Sequence, residues 1–253
     1  MKLFVSLLPS LRPVSPSTDI AVVIDVLRAT SVMATALANG AKRIITCEEI
    51  DESEMIAEMV GNKPLLCGER GCQPIPGFDL GNSPSEYTRQ IVQDRALVLT
   101  TTNGTHAIAA AAPADRIITA SFLNLAAAVD ALEGSNEVHL VCAGTAEDIT
   151  AEDTLLAGAI IHSLSNRTAV QLELVGDEPI LAAHHWRACF GSKSEIDTAS
   201  LAREIANSQG GRNLIAADYR DDLRLCAQLN SAPVVPERIS TAPSTFGLPA
   251  KPS

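Results

Sequence analysis

The chain has 253 residues, a formal charge of −11, 46% apolar residues and only 3% aromatic ones. That length buries a sizeable core, in one large domain or two intimate ones, built from small and aliphatic side chains. The acidic balance argues against nucleic acid or anionic membrane as a partner, so any anionic ligand must be held by local arginines, helix ends or a metal.

In chain order, the apolar run within Met1–Pro9 is too short for a signal peptide. No later stretch approaches the roughly 20 apolar residues of a membrane span, so the expectation is a soluble cytoplasmic protein. Ile20–Val26 is a continuous apolar strand, followed by a helix over Ser31–Asn39 that Gly40 is suited to end. Arg43–Thr46 reads as a strand, and Asp51-Glu-Ser-Glu54 as a capping box opening a helix to Val60. Leu65–Cys67 is a short strand entering a Gly/Pro-rich loop, which ends at a second capping box, Ser83-Pro-Ser-Glu86.

The alternation continues through strands at Ala96–Thr100, Arg116–Ala120 and Val138–Cys142, with helices at Thr105–Ala112, Leu123–Leu132 and Glu152–Ser165. Strands alternating with helices predict an α/β fold, three-layer α/β/α with a largely parallel sheet. After Asn166 helices dominate, at Glu178–Cys189, Thr198–Asn207 and Arg212–Cys226. The division expected is an N-terminal α/β region (1–166) carrying most motifs, a helix-rich region (167–240) packed on it, and a Pro/Ser-rich tail (241–253), partly disordered after Thr241. The six cysteines (47, 67, 72, 142, 189, 226) form no CxxC pair and no zinc spacing, which fits reduced, mostly buried thiols.

Three stretches stand out: Asp25-Val-Leu-Arg-Ala-Thr-Ser31, Gly68-Glu-Arg-Gly71 running on to Gly77-Phe-Asp-Leu-Gly-Asn-Ser-Pro84, and Thr100-Thr-Thr-Asn-Gly-Thr105. Each places acids, arginines, hydroxyls or glycines after an apolar run and before a helical pattern. Strand ends expose side chains there and helix starts offer free N–H groups, so the three together suggest one pocket for a small, highly charged anion.

Through these strings the chain resembles the ComB family of probable 2-phosphosulfolactate phosphatases, from about Ile20 to Pro236. The resemblance implies two similar, intertwined α/β halves and magnesium-dependent hydrolysis of the phosphate ester of a sulfonated 2-hydroxy acid. It also matches Glu152 and Asp153 to a family Glu-Asp pair. It places Gln73 in a stretch, Cys72-Gln-Pro-Ile-Pro76, where relatives often carry a basic residue.

The residues themselves leave several roles open. Asp25 at the strand end can bind metal, act as a base, attack phosphorus, or cap the next helix. Haloacid dehalogenase phosphatases use such an aspartate as nucleophile, but they need a second Asp two residues on, where this chain has Leu27. Arg28 and Arg70 suit bidentate contact with phosphate or sulfonate oxygens, or structural ion pairs. Glu69 either binds metal or orients Arg70. Asp79 and Asn82 are candidate ligand contacts, while Ser83 reads first as a helix cap. Asn103, Gly104 and Thr105 form a tight turn suited to an oxyanion, with Thr30 and Ser31 at the equivalent helix start after Asp25.

Arg212, after Gly210-Gly211, could close over an anion from the second half; His184-His185 reads as structural, as do Asp221, Asp222 and Cys226, which resemble a family pattern near the C-terminus. No cysteine has arginine at the sixth following position and no Arg-His-Gly string occurs, which leaves metal-assisted attack of water. The expected catalytic set is Asp25, Glu152 and Asp153. The expected magnesium set is Asp25, Glu69, Glu152 and Asp153, two adjacent carboxylates being able to supply oxygen ligands. The remaining expected substrate contacts are Arg28, Thr30, Ser31, Arg70, Asp79, Asn82, Asn103, Gly104, Thr105 and Arg212. The partner is a small phosphorylated anion, with a homodimer left open. The alternatives are a phosphatase for another phosphorylated 2-hydroxy acid and a non-catalytic protein that binds an anionic metabolite.

Overall fold

The structure is a computed structural model and describes residues 1–167, 171–191 and 196–249. In chain order its regular elements begin β1 (Lys2–Ser6), β2 (Ile20–Ile24), α1 (Ala29–Ala38), β3 (Arg43–Cys47), α2 (Ile50–Val60), β4 (Leu65–Arg70) and β5 (Gln73–Pro74). They continue α3 (Arg89–Val92), β6 (Ala96–Thr100), α4 (Gly104–Ala110), β7 (Arg116–Ala120), α5 (Leu125–Ala131), β8 (Glu137–Cys142) and α6 (Ala151–Ser165). The last are β9 (Glu173–Leu174), α7 (Glu178–Phe190), α8 (Thr198–Ala206), α9 (Gln209–Ala216), α10 (Arg220–Cys226), β10 (Glu237–Thr241) and β11 (Ser244–Gly247).

One sheet joins eleven strands in the order β5-β4-β6-β3-β11-β10-β7-β2-β8-β1-β9. Two parallel blocks, β4-β6-β3 and β7-β2-β8-β1-β9, make up most of it, and the antiparallel hairpin β10–β11 bridges β3 and β7. The order reveals the two halves. Strands β2, β3 and β4 form one set and β6, β7 and β8 another, and the first strand of each set lies at the centre of the other set's block. The halves are therefore intertwined, and Arg43-Ile-Ile-Thr46 of β3 is echoed by Arg116-Ile-Ile-Thr119 of β7.

Burial explains the continuous apolar strands. All five residues of β2 are buried, because helices cover both faces of the sheet. Ile20, Val22 and Ile24 enter a core with residues of α5, α6 and α7, whereas Ala21 and Val23 enter a second core with α1 and α4. That second core also takes Ile44, Leu97 and Leu99 from the other block, so α1 and α4 pack against both.

Three local expectations change. The helix read over Arg212–Cys226 is two helices, α9 and α10, separated where Asp218 takes φ 69°. Helix α2 starts at Ile50 without a side-chain cap, not at a capping box from Asp51. The segment after Thr241 is ordered through β11, whose Phe246 is fully buried against the second core, so strand pairing outweighs its Pro/Ser-rich composition. Residues 250–253 of the expected tail lie outside the described residues.

Candidate active site

The two equivalent strand–helix turns, β2 into α1 and β6 into α4, meet tip to tip. A Cβ on Gly104 would stand 2.6 Å from the Ala29 Cβ, 2.8 Å from Asp25 Oδ2 and 3.1 Å from Thr101 Oγ1. Only glycine lets the two helix starts come this close. Around this point lies a narrow cleft of about 40 Å³, lined by Asp25, Arg28, Glu69, Asn82, Asn103 and Gly210 among others.

The turn after β2 is stitched to itself. Asp25 Oδ1 accepts from the Ala29 N–H at 3.1 Å, and Oδ2 faces Gly104 with no hydrogen-bond partner among the described residues. Thr30 Oγ1 donates to the Asp25 carbonyl at 2.7 Å, and Ser31 Oγ to the Val26 carbonyl at 2.8 Å. Thr30 and Ser31, expected as substrate contacts, thus spend their hydroxyls holding the backbone that carries Asp25 and Arg28. Thr105 does the same on the other turn, donating to the Thr101 carbonyl at 2.8 Å.

Two expected metal-binding carboxylates are occupied by N–H groups. Glu69 Oε1 accepts from the N–H and hydroxyl of Thr102, both at 3.0 Å, and Oε2 from the Cys72 N–H at 2.8 Å. Asp153 Oδ1 accepts from the Val26 N–H at 2.9 Å and Oδ2 from the Gly144 N–H at 3.0 Å, which clamps the ends of β2 and β8 together. Glu152 differs. It is 2% exposed, its Oε2 has no partner among the described residues, and its Oε1 would lie 2.0 Å from a Cβ on Gly210. That glycine lets the start of α9 close onto the carboxylate.

Burial raises the proton affinity of Asp25, Glu152 and Asp153. Asp25 is pushed up to about 7, first by burial and then by the charges of Glu69 and Glu152, against the Ala29 N–H and Arg28, which lower it. Glu152 is raised by burial, and Asp153 well above the carboxylate range by burial and by Glu152.

Arg28 reaches the cleft wall from a buried position, 2% exposed. Its Nη1 donates to Asp222 Oδ2 at 2.6 Å, its Nη2 to the Cys72 carbonyl at 3.1 Å, and its guanidinium stacks 4.3 Å over the Tyr219 ring. Asn82 and Asn103 both line the cleft. The buried Asn82 Oδ1 has no partner among the described residues, and Asn103 Oδ1 accepts from the Ala146 N–H at 3.3 Å.

Three expected contacts lie elsewhere. Arg70 donates to the Glu69 and Glu48 carbonyls and to Thr100 Oγ1, and lines an adjoining hollow with Thr101, Thr102 and His106. Exposed Asp79 accepts from the Leu66 N–H at 2.9 Å and so fastens its loop to β4. Arg212 is exposed on α9 and donates to the Asn207 carbonyl and Gln209 Oε1, outside the cleft lining. Gln73 is also exposed, with its amide donating to the Ala217 carbonyl at 3.4 Å.

The sequence reading selected neither Thr101, which lines the cleft, nor Tyr219, which stacks on Arg28, and it took Asp222, the acid paired with Arg28, as structural. Thr101 sits in the Thr-Thr-Asn-Gly string, and its buried Oγ1, without a partner among the described residues, is the signal that separates it from its neighbours. Asp222 and Tyr219 come from the far end of the chain, where pattern gives no hint of contact with Arg28.

A family model described as 2-phosphosulpholactate phosphatase matches residues 7–240. A protein of Thermotoga maritima described as a probable 2-phosphosulfolactate phosphatase is 37% identical over 231 residues, 91% of this chain and 94% of the relative. One from Picosynechococcus with the same description is 38% identical over 249 residues, 97% and 98% of the two chains. A third, from Symbiobacterium thermophilum, is 38% identical over 219 residues, 86% and 90%.

Proposed function

The chain belongs to the 2-phosphosulpholactate phosphatase family, and from that premise we propose that it hydrolyses 2-phosphosulfolactate to sulfolactate and phosphate, with magnesium as its cofactor. The observation that carries this reading is the gathering of oxygens without protein partners at one cleft. Among the described residues, buried Asn82 Oδ1 and Thr101 Oγ1 have no partner there, Asp25 Oδ2 faces Gly104, and buried Glu152, its Oε1 against Gly210, keeps an unpartnered Oε2. A buried polar atom without a partner costs about 1–3 kcal/mol, so several at one place argue for a ligand that satisfies them.

The donor set fits a hard cation. Among the described residues no three acid, histidine or cysteine side chains converge as a ready cage. Magnesium does not need one, because it usually keeps several waters and takes one or two carboxylates with substrate phosphate oxygens. Glu152, which keeps an uncommitted oxygen, would hold it together with waters and substrate phosphoryl oxygens, leaving Asp25 Oδ2 free to act on water. Glu69 and Asp153, filled by N–H groups, would orient the strand ends around it. When bound, the ion neutralises phosphoryl oxygens and lowers the pKa of water.

The chain's own residues supply the rest. Arg28 offers a fixed guanidinium to the anionic end of the substrate. Asp25, brought to about 7 by burial, is poised to take a proton from an attacking water at Oδ2 near neutral pH. Asn82, Asn103 and Thr101 give neutral polar contacts that position the ester without adding repulsion. Comparison of phosphate release from 2-phosphosulfolactate, phosphoglycolate and phospholactate tests the substrate. Preference for the sulfonated ester supports the reading, and preference for either other ester contradicts it.

A further inference from the structure

The motifs that build the cleft are joined by one carboxylate from the C-terminal helices. Asp222, at the start of α10 and 3% exposed, accepts from Arg28 Nη1 through Oδ2 at 2.6 Å and from Ser83 Oγ through Oδ1 at 2.6 Å. Both its oxygens are thus committed within the protein, one to the Asp25–Ser31 string and one to the loop that carries Asn82. Ser83 is 4% exposed and also meets Ser85 Oγ at 2.8 Å. Three residues earlier, Tyr219 lies under the guanidinium at 4.3 Å, and the Cys72 carbonyl takes Nη2 at 3.1 Å.

Resting on the phosphatase reading, we propose that Asp222 is a positioning residue. It fixes Arg28 and the Asn82 loop in a single geometry toward the substrate anion, and Tyr219 holds the guanidinium plane. An arginine so held has lost its rotamer freedom before substrate arrives, so less entropy is lost on binding. Asp222 touches no substrate and acts through Arg28.

The test is a cycle of Asp222→Asn, Arg28→Lys and the double variant, reading kcat and KM for 2-phosphosulfolactate and the thermal shift given by inorganic phosphate. Asparagine keeps the shape and an acceptor but removes the charge. Asp222→Asn should raise KM about tenfold or more with kcat within about threefold, the pattern of lost uniform binding. It should add no further KM increase on the Arg28→Lys background, since the two act as one unit. A KM within twofold of wild type, or KM effects that multiply in the double variant, would overturn the proposal. Should Asp222→Asn not fold, half-buried Tyr219→Leu takes its place with the same expectation. Wild-type protein that releases no phosphate from any ester counts against the phosphatase reading alone. The positioning role is then judged by the phosphate thermal shift, which Asp222→Asn must weaken about tenfold in apparent affinity and which, left unchanged, overturns it.

Discussion

Gly104 and Asp25 face each other across the junction of the two halves, and a Cβ on the glycine would lie 2.8 Å from Asp25 Oδ2. The equivalent turns of two intertwined halves therefore press together at the one carboxylate oxygen that the surrounding backbone leaves free.

Gly104→Ala tests that closeness. The added methyl also meets the Ala29 Cβ at 2.6 Å, and neither helix start can withdraw without unseating its strand end. The expected cost is about 1–3 kcal/mol of stability from overpacking. Displacing the reacting groups by about an ångström should slow phosphate release by about 10²-fold. Steady-state rates and chemical denaturation measure the two effects, and a variant with wild-type rate would show that the junction tolerates movement.

Asp25→Asn should retain the fold and lose about 10²–10⁴-fold in rate, the range for a proton-transfer group. It also has a pH signature. The folded-state pKa of Asp25 is raised to about 7 from its ordinary value of 3.8, so the native state holds a proton that the unfolded chain has released. Stability from this group is full below about pH 4, falls as pH rises to about 7, and is level above. In chelator, the stability of Asp25→Asn relative to wild type should therefore increase across that window. Buried His139, lowered to about 4, contributes the opposite slope below its ordinary value but cancels in the difference. A pH-independent difference would refute the assignment.

Arg28→Ala should cost about 3–5 kcal/mol, because it strands Asp222 as a buried charge without its cation. Arg212→Ala, on the exposed face of α9, should change stability by less than about 0.5 kcal/mol. It should also leave KM within about twofold. Denaturant titration and substrate saturation separate the two arginines. A large KM effect at Arg212 would return it to the substrate site.

The sequence made the β2, β6 and β8 ends legible because a buried parallel strand is a continuous apolar run, and the first polar residue after it stands at the sheet's carboxyl edge. Asp25 was found that way, Asn82 from the loop ahead of the Ser83 capping box, and Asn103 from the tight turn that opens α4. What the one-dimensional pattern hides is the direction in which a side chain spends its hydrogen bonds. Thr30, Ser31 and Thr105 look like ligand hydroxyls but turn back onto carbonyls within five residues. Asp79 looks like a ligand and instead fastens a loop to β4. Asp222 was read as structural because its partner lies 194 positions away and no pattern joins the two. The hairpin β10–β11 was read as tail because a strand that pairs at the seam between two blocks needs little apolar sequence of its own beyond Phe246.

The most direct measurement is phosphate release from 2-phosphosulfolactate by wild type and Asp25→Asn, each with magnesium and with excess chelator. The account predicts fast release by wild type with magnesium, loss of about 10²-fold or more in chelator, and slow release by Asp25→Asn in both. Equal wild-type rates with and without chelator, or an Asp25→Asn variant as fast as wild type, would contradict it.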